Sequence, residues 1–370
     1  MKKLKRVRIV CYEDVNAWIL GKFARKINEG LNALSIKSDI AKLPNPKADI
    51  NHHIIYLNYQ GKKSSIDTLM ITHIDSLQKL NLLKRQLKVA KLGICMSRET
   101  MQQLLRTGLG SEKLYYINPA HDGVIKPRPI VVGITSKIHP DNRKKANLLL
   151  KLAKRISPNE FMFEIMGGGW EKIVGNMQKL GFKVNYCKDF DYEKYIKLVP
   201  TFDYFLYFGF DEGSMGFVDA LSAGVKTIVT PQGYHLDALG GVTYPINNLD
   251  DIIRAFDQIA EEKRRLVRSV SNWTWENYTR EHIKVWECLL NNQTPKNLLD
   301  DKSNNIIKLS GAQKTIERAG INRQAGLWLK IQHIGAILFY LFKPLTFKTF
   351  LWTISPVFLK NVYRKHLLNS

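Results

Sequence analysis

Short apolar runs separated by amphipathic stretches repeat along most of the chain. Val7–Tyr12, His53–Leu57, Thr68–Ile74, Leu92–Met96 and Leu114–Ile117 are runs of strand length. Between them, Val15–Ala33 places Trp18, Ile19, Phe23, Ile27 and Leu31 at helical spacing, and Leu77–Ala90 and Arg98–Thr107 read as further helices. The rhythm resumes with strands at Ile130–Thr135, Phe161–Met166 and Phe182–Tyr186. Helices follow around Leu148, Leu149, Leu152 and Ile156, over Tyr192–Leu198, and from Leu249 to Cys288. Strand–helix alternation predicts an α/β protein with parallel sheets covered on both faces.

The most informative stretch is 204–230, YFLYFGFDEGSMGFVDALSAGVKTIVT. It predicts a buried strand over 203–208, a turn at Asp211-Glu212-Gly213, a helix from Ser214 to Ala223 stopped by Gly224, and a second strand over Lys226–Thr230. A helix N-terminus offers unpaired N–H groups and the positive end of a dipole, a natural seat for phosphate. Gly213 lets the backbone approach a ligand closely. Asp211 and Asp219 are acceptors better suited to sugar hydroxyls than to phosphate.

Lys126-Pro-Arg-Pro129 marks a stiff junction, so the chain divides into 1–125, 126–290 and a polar linker and tail, 291–370. The 370 residues suit two domains plus a tail, and four scattered cysteines without C-x-x-C read as buried hydrophobes of a reducing compartment. The net charge of +23 is uneven. Residues 1–130 carry 23 Lys and Arg against 10 Asp and Glu, 131–310 carry 24 against 22, and 311–370 carry 9 against 1. The excess therefore collects at the ends. No nucleic-acid-binding motif accompanies it, so an anionic membrane surface or substrate is the better match. In the tail, aromatic residues from Trp328 to Phe358 are interleaved with Lys and Arg. That composition fits an interfacial membrane segment or a strap packed on protein. No run is long enough to span a bilayer, and the basic N-terminus lacks a signal-peptide core. Location is expected to be cytoplasmic, peripheral on the inner membrane face.

The stretch around Asp211 resembles the donor-site motif of GT-B glycosyltransferases, in particular the retaining, nucleotide-sugar-dependent glycosyl transferases group 1, or family 4. The family pattern is an acid, seven residues, an acid, then Ala-x-x-x-Gly and a Val/Ile-rich strand. Here Asp211, Asp219, Ala220 and Gly224 take those places. The family has Glu at both acidic positions, and Glu212 is an alternative first acid. The resemblance covers about residues 7–290 and is most specific over 130–237.

It implies two Rossmann-like domains facing across a cleft, the second holding a nucleotide-diphosphate sugar and the first a glycan or lipid-linked acceptor. Lys137 takes the place of the family's arginine, and Arg143 or Lys144 that of its lysine, both directed at the diphosphate. Gly167 and Gly168 lie beside the nucleotide, the loop Cys187–Phe190 beside the base, and Gly213 and Ser214 at the phosphate-binding helix start. Asp211 or Glu212 orients the donor sugar, Asp219 holds the ribose, and His73 assists at the reacting carbon. His121, Asp122, His235 and Asp237 are weaker candidates. The glycine-rich loop common after the family's first strand is replaced by Tyr12-Glu-Asp-Val-Asn16. The nucleotide sugar is the only co-substrate expected, with no metal and no further cofactor. Asp189-Phe-Asp191 also matches the metal-binding D-x-D pattern of GT-A enzymes. A non-catalytic nucleotide-sugar-binding or membrane scaffold protein is the alternative function.

Overall fold

The computed structural model describes residues 2–61, 66–295 and Leu298; the basic, aromatic tail lies outside them. The described chain divides into two compact units, one of 2–121 with the residues from Trp273 on, the other of Asp122–Asn272. The junction expected at 125/126 thus falls at 121/122, and the second unit closes at 272 instead of 290.

In the first unit the strands are β1 (Arg6–Val10), β2 (Lys37–Ala41), β3 (Ile50–His53), β4 (Asp67–Ile71), β5 (Leu92–Cys95) and β6 (Leu114–Tyr116). They form one parallel sheet in the order β2-β1-β3-β4-β5-β6. Helices α1 (Ile19–Ala33) and α9 (Trp275–Leu290) cover one face, with Phe23, Ile27, Leu31, Tyr278, Val285 and Trp286 buried against Val7, Ile9 and Ile94. Helices α2 (Leu77–Val89) and α3 (Arg98–Arg106) cover the other through Leu83, Leu87 and Leu104. Trp286 Nε1 donates to Thr68 Oγ1 at 3.2 Å, one of the contacts that join α9 to this sheet.

Several expectations shift. The apolar run His53–Leu57 is not a strand: pairing with β1 selects Ile50–His53, and a 3-10 turn follows at Tyr56–Asn58. Strand β2 escapes hydrophobic reading because it is a half-exposed edge strand of sequence KSDIA. Trp18 and Ile19 are exposed, since α1 starts at Ile19 with Trp18 as its N-cap. The long C-terminal helix is broken, α8 (Leu249–Arg268) ending before Thr274 caps α9.

The second unit contains β7 (Ile130–Thr135), α4 (Asn147–Ala153), β8 (Phe161–Met166), α5 (Glu171–Lys179), β9 (Val184–Cys187), α6 (Tyr192–Leu198), β10 (Tyr204–Tyr207), α7 (Met215–Ser222), β11 (Lys226–Val229), β12 (Tyr244–Pro245) and α8. The parallel sheet runs β12-β11-β10-β7-β8-β9. Alternate residues pack on opposite faces: Val132, Phe163, Leu206 and Ile228 meet α4, α5 and α8, while Phe205, Tyr207 and Val229 meet α6 and α7. The winding reverses between β7 and β10, which pair Tyr204 with Val132 and Phe205 with Gly133. In such sheets the crevice outside the carboxyl ends of the two central strands is where ligands bind.

Candidate functional site

At that crevice in the second unit lies a cavity of about 590 Å³. Its walls come from the end of β7 (Thr135, Ser136, Lys137), the turn after β8 (Gly167, Gly168), the loop after β9 (Lys188, Asp189, Phe190), Tyr195 of α6, and Met215, Gly216 and Asp219 of α7. Chain reversal at the switch point brings these segments together.

Glycines permit the close approach. Gly167 has φ +128°, and a Cβ there would lie 2.5 Å from the Ser136 carbonyl oxygen. A Cβ on Gly216 would lie 2.1 Å from Thr135 Oγ1, so the first turn of α7 sits hard against the end of β7.

The start of α7 is open. The N-cap Ser214 accepts no backbone N–H, as in α1, α4 and α5 and unlike α2, α3, α6, α8 and α9. Its own N–H donates to His235 Nε2 at 2.9 Å, and His235 Nδ1 lies 2.9 Å from the Thr230 carbonyl. Nδ1 therefore carries the proton and Nε2 accepts, so His235 is a neutral ring bracing the turn from behind. Burial holds its pKa below the ordinary histidine value. One of the weaker candidates in the sequence, it is a fully buried support of the turn. Gly213 has φ +130°, with Tyr234 packed where a Cβ would stand.

Asp219 points from α7 to the cavity, and Tyr195 Oη donates to its Oδ2 at 2.5 Å. The other carboxylate oxygen makes no hydrogen bond among the described residues. Burial and the adjacent Asp219 charge raise the Tyr195 pKa, so the phenol stays a donor. Lys137 is exposed on the cavity wall.

Asp211 and Lys144 do not line this cavity; they meet where the chain turns toward α7. Lys144 Nζ is 2.6 Å from Asp211 Oδ2 and 2.5 Å from Tyr207 Oη, while Tyr207 donates to Asp211 Oδ1 at 2.6 Å. Partial burial opposes ionisation of Asp211, but hydrogen bonds from Lys144 and Tyr207 outweigh it and depress its pKa. Glu212 is exposed, its side chain without a hydrogen bond or ion pair among the described residues. Arg143 is exposed, 3.6 Å from Asp141, and its carbonyl accepts the Phe210 N–H. Of the two cations that were alternatives, Lys144 is the one joined to Asp211.

Asp191 caps α6, accepting from Lys194 N–H at 3.1 Å, and Asp189 stands exposed at the cavity. Among the described residues no group of three or more His, Cys, Asp or Glu suits a metal ion.

His73 belongs to the first unit, after the carboxyl end of β4. Lys79 Nζ lies 2.9 Å from Nε2, and Thr72 Oγ1 3.1 Å from Nδ1. Lys79 also donates to Asp75 at 2.8 Å. The ring is half exposed and its carbonyl accepts from Tyr56 at 2.8 Å. Sequence reasoning missed Tyr195 and Tyr207. Both are apolar-looking members of buried faces, and nothing in the pattern marks which hydroxyl meets which acid.

No family model matches the chain, and no curated protein matches it. Among solved structures it is similar to the apo form of a lipopolysaccharide outer core galactosyltransferase, at 12% identity and a TM-score of 0.30, covering 80% of this chain and 100% of that one. The Anabaena protein HepE in complex with UDP and glucose gives the same identity, coverage and TM-score. Sucrose-phosphate synthase from Thermosynechococcus elongatus gives 12% identity and a TM-score of 0.32, covering 78% of this chain and 100% of that one. The α/β assignment stands on the strand order and two-sided burial described above.

Proposed function

We propose that the protein is a glycosyltransferase that moves a sugar from a nucleotide-diphosphate sugar to a glycan or lipid-linked acceptor in polysaccharide or glycoconjugate synthesis. The observation that carries this reading is the cavity at the switch point of the second sheet. It combines an uncapped helix start, a lysine, close-approach glycines and a carboxylate held by a tyrosine.

Each part has a task. Asp219, fixed by Tyr195, accepts from the ribose hydroxyls. Gly167 and Gly168 let the nucleotide approach the backbone, and the loop after β9 faces the base. Lys137, the start of α7 at Gly213–Ser214, and Lys144 or Arg143 receive the negative charge that grows on the diphosphate as the bond to the sugar breaks. Asp211 or Glu212 orients the sugar. With retention, the acceptor oxygen bonds to the anomeric carbon on the face the phosphate leaves, and the departing phosphate oxygen takes the acceptor proton. Protein cations neutralise the diphosphate in this scheme, which asks for no metal. We assign the acceptor, and His73 as the assisting residue, to the first unit. The basic N-terminal region and tail suit a peripheral position on an anionic membrane. No described helix is long and apolar enough to cross one.

A thermal-shift screen of nucleoside diphosphates and nucleotide sugars tests the reading. A ligand at a hundred times its dissociation constant adds about 2.7 kcal/mol of stability. One base should shift the wild type and not Asp219→Ala. No shift with any nucleotide would overturn the proposal.

A further inference from the structure

Three side chains from separate positions in the second unit close a triangle. Lys144 comes from the loop between β7 and α4, Tyr207 ends β10, and Asp211 lies on the turn before α7. The three edges measure 2.5, 2.6 and 2.6 Å, and the Gly213 N–H lies 3.3 Å from Asp211 Oδ1. The Lys144 and Asp211 side chains are only 13% and 23% exposed. Lys144 Nζ also lies 4.7 Å from the centre of the Tyr207 ring.

The donor and acceptor count is informative. An ammonium has three N–H donors, and Lys144 uses one on Tyr207 and one on Asp211. Asp211 accepts three hydrogen bonds, Lys144 on Oδ2 and Tyr207 and Gly213 on Oδ1, which fills three of its roughly four acceptor sites. Most of the carboxylate is therefore spent on holding this arrangement, and the lysine has one donor left. Tyr207 is the part that fixes the geometry: its hydroxyl accepts from the cation and donates to the anion. Burial and the Asp211 charge keep the phenol protonated.

Position links the triangle to the cavity. Carrying the β7–β10 register two residues on sets Tyr207 level with Thr135, a cavity wall residue. Asp211 and Gly213 lead directly into the turn that starts α7, so the triangle lies just beyond the helix start. On the nucleotide-sugar reading, a ribose at Asp219 and a first phosphate at that helix start would leave the next phosphate to the loop that carries Lys144.

We infer that Tyr207 is a positioning residue that holds Lys144 with its third N–H toward the distal phosphate of a nucleoside diphosphate, and that Asp211 acts on the phosphate through Lys144. The inference rests on the nucleotide-sugar reading above. A free lysine loses rotamer entropy when it is fixed. The triangle meets that cost on folding, before any ligand arrives.

The experiment is calorimetric titration of the full chain with matched pairs, UMP and UDP, GMP and GDP, AMP and ADP, using the base that stabilises the wild type. Tyr207→Phe removes only the hydroxyl. It should weaken the diphosphate about tenfold while leaving the monophosphate within about twofold, since a lost bond to a charged group is worth at least a factor of ten. Lys144→Met should do the same and more strongly, and serves if Tyr207→Phe fails to fold. Equal weakening of mono- and diphosphate, or no change in either variant, overturns the inference while the wild type's diphosphate binding keeps the nucleotide reading. A wild type that binds no nucleotide removes both.

Discussion

Tyr195 donates its phenol proton to Asp219 Oδ2 across 2.5 Å, joining α6 to α7 at the floor of the cavity. The bond restricts the carboxylate rotamer and leaves the other oxygen without a hydrogen bond among the described residues. Tyr195→Phe should therefore weaken nucleoside diphosphate binding about three- to tenfold, as expected for loss of a charge-assisted hydrogen bond. Asp219→Ala should abolish binding at millimolar ligand. Titration calorimetry on the two variants checks the order of effects; equal binding by all three proteins would contradict the assignment.

The two neighbouring acids should separate by phenotype. Asp211→Asn removes the anion that pairs with a mostly buried lysine, and should lower stability by about 2–3 kcal/mol, below the cost for a fully buried pair. Glu212→Gln changes an exposed side chain and should leave the melting temperature within about 1 °C, as surface substitutions do. If Glu212 orients the donor sugar, that variant loses turnover while retaining diphosphate affinity. Urea melts and initial rates on the same preparations decide the matter.

Gly216→Ala should be costly for its size. The new methyl would meet Thr135 Oγ1 at 2.1 Å and the Phe205 ring at 3.0 Å, so α7 must move away from β7. A loss of about 1–3 kcal/mol is expected for overpacking of this kind, together with weaker nucleotide binding. Gly175→Ala is the control, because nothing lies within 4 Å of its added carbon.

Acid should destabilise the first unit through His52. This ring is buried between Thr68, His282 and Trp286, with Nδ1 2.9 Å from Thr68 Oγ1. Burial, then the neighbouring His282 and His53, push its pKa well below 6.5. The folded chain keeps the ring neutral while the unfolded chain protonates it near 6.5. Above that pH neither state gains a proton and the full stability is present. Below it the unfolded state binds more protons, and stability falls by about 1.4 kcal/mol per pH unit for each proton. Urea midpoints between pH 5 and pH 8, followed by tryptophan fluorescence, should show this acid limb in the wild type and a shallower one in His52→Gln.

Truncation after residue 295 removes the aromatic, basic tail. If that segment supplies membrane contact, the shortened chain should sediment less with vesicles containing anionic phosphatidylserine, and raising the salt should release the full chain. Equal sedimentation of both proteins would assign membrane contact elsewhere or remove it.

Much of the second unit was legible from pattern. β7, β8 and α6 fall where apolar spacing places them, and the strand–turn–helix–strand over 204–230 is set by local chemistry, including the positive φ of Gly213 and Gly224. Local signals also located the candidate segments, because glycines, acids and cations after strand ends are visible in one dimension. The same reading failed for β2, whose half-exposed edge lacks an apolar run, and for Trp18, which precedes its helix instead of joining the buried stripe.

Other features were decided only by the tertiary structure. Periodicity reports that a face is buried and not what covers it. The apolar spacing of α9 does not say which sheet it covers, and it is Tyr278, Val285 and Trp286 packing on the first that joins it there. Lys144 and Asp211 are 67 residues apart and Tyr195 and Asp219 24 apart, and both pairs meet because the sheet reverses its winding between β7 and β10. The residue types of the candidate site are thus a property of the sequence. Which hydroxyl holds which carboxylate, and which lysine is committed to which acid, follow from strand order and register, because hydrogen bonds act over about 3 Å and only the packed fold brings distant segments that close.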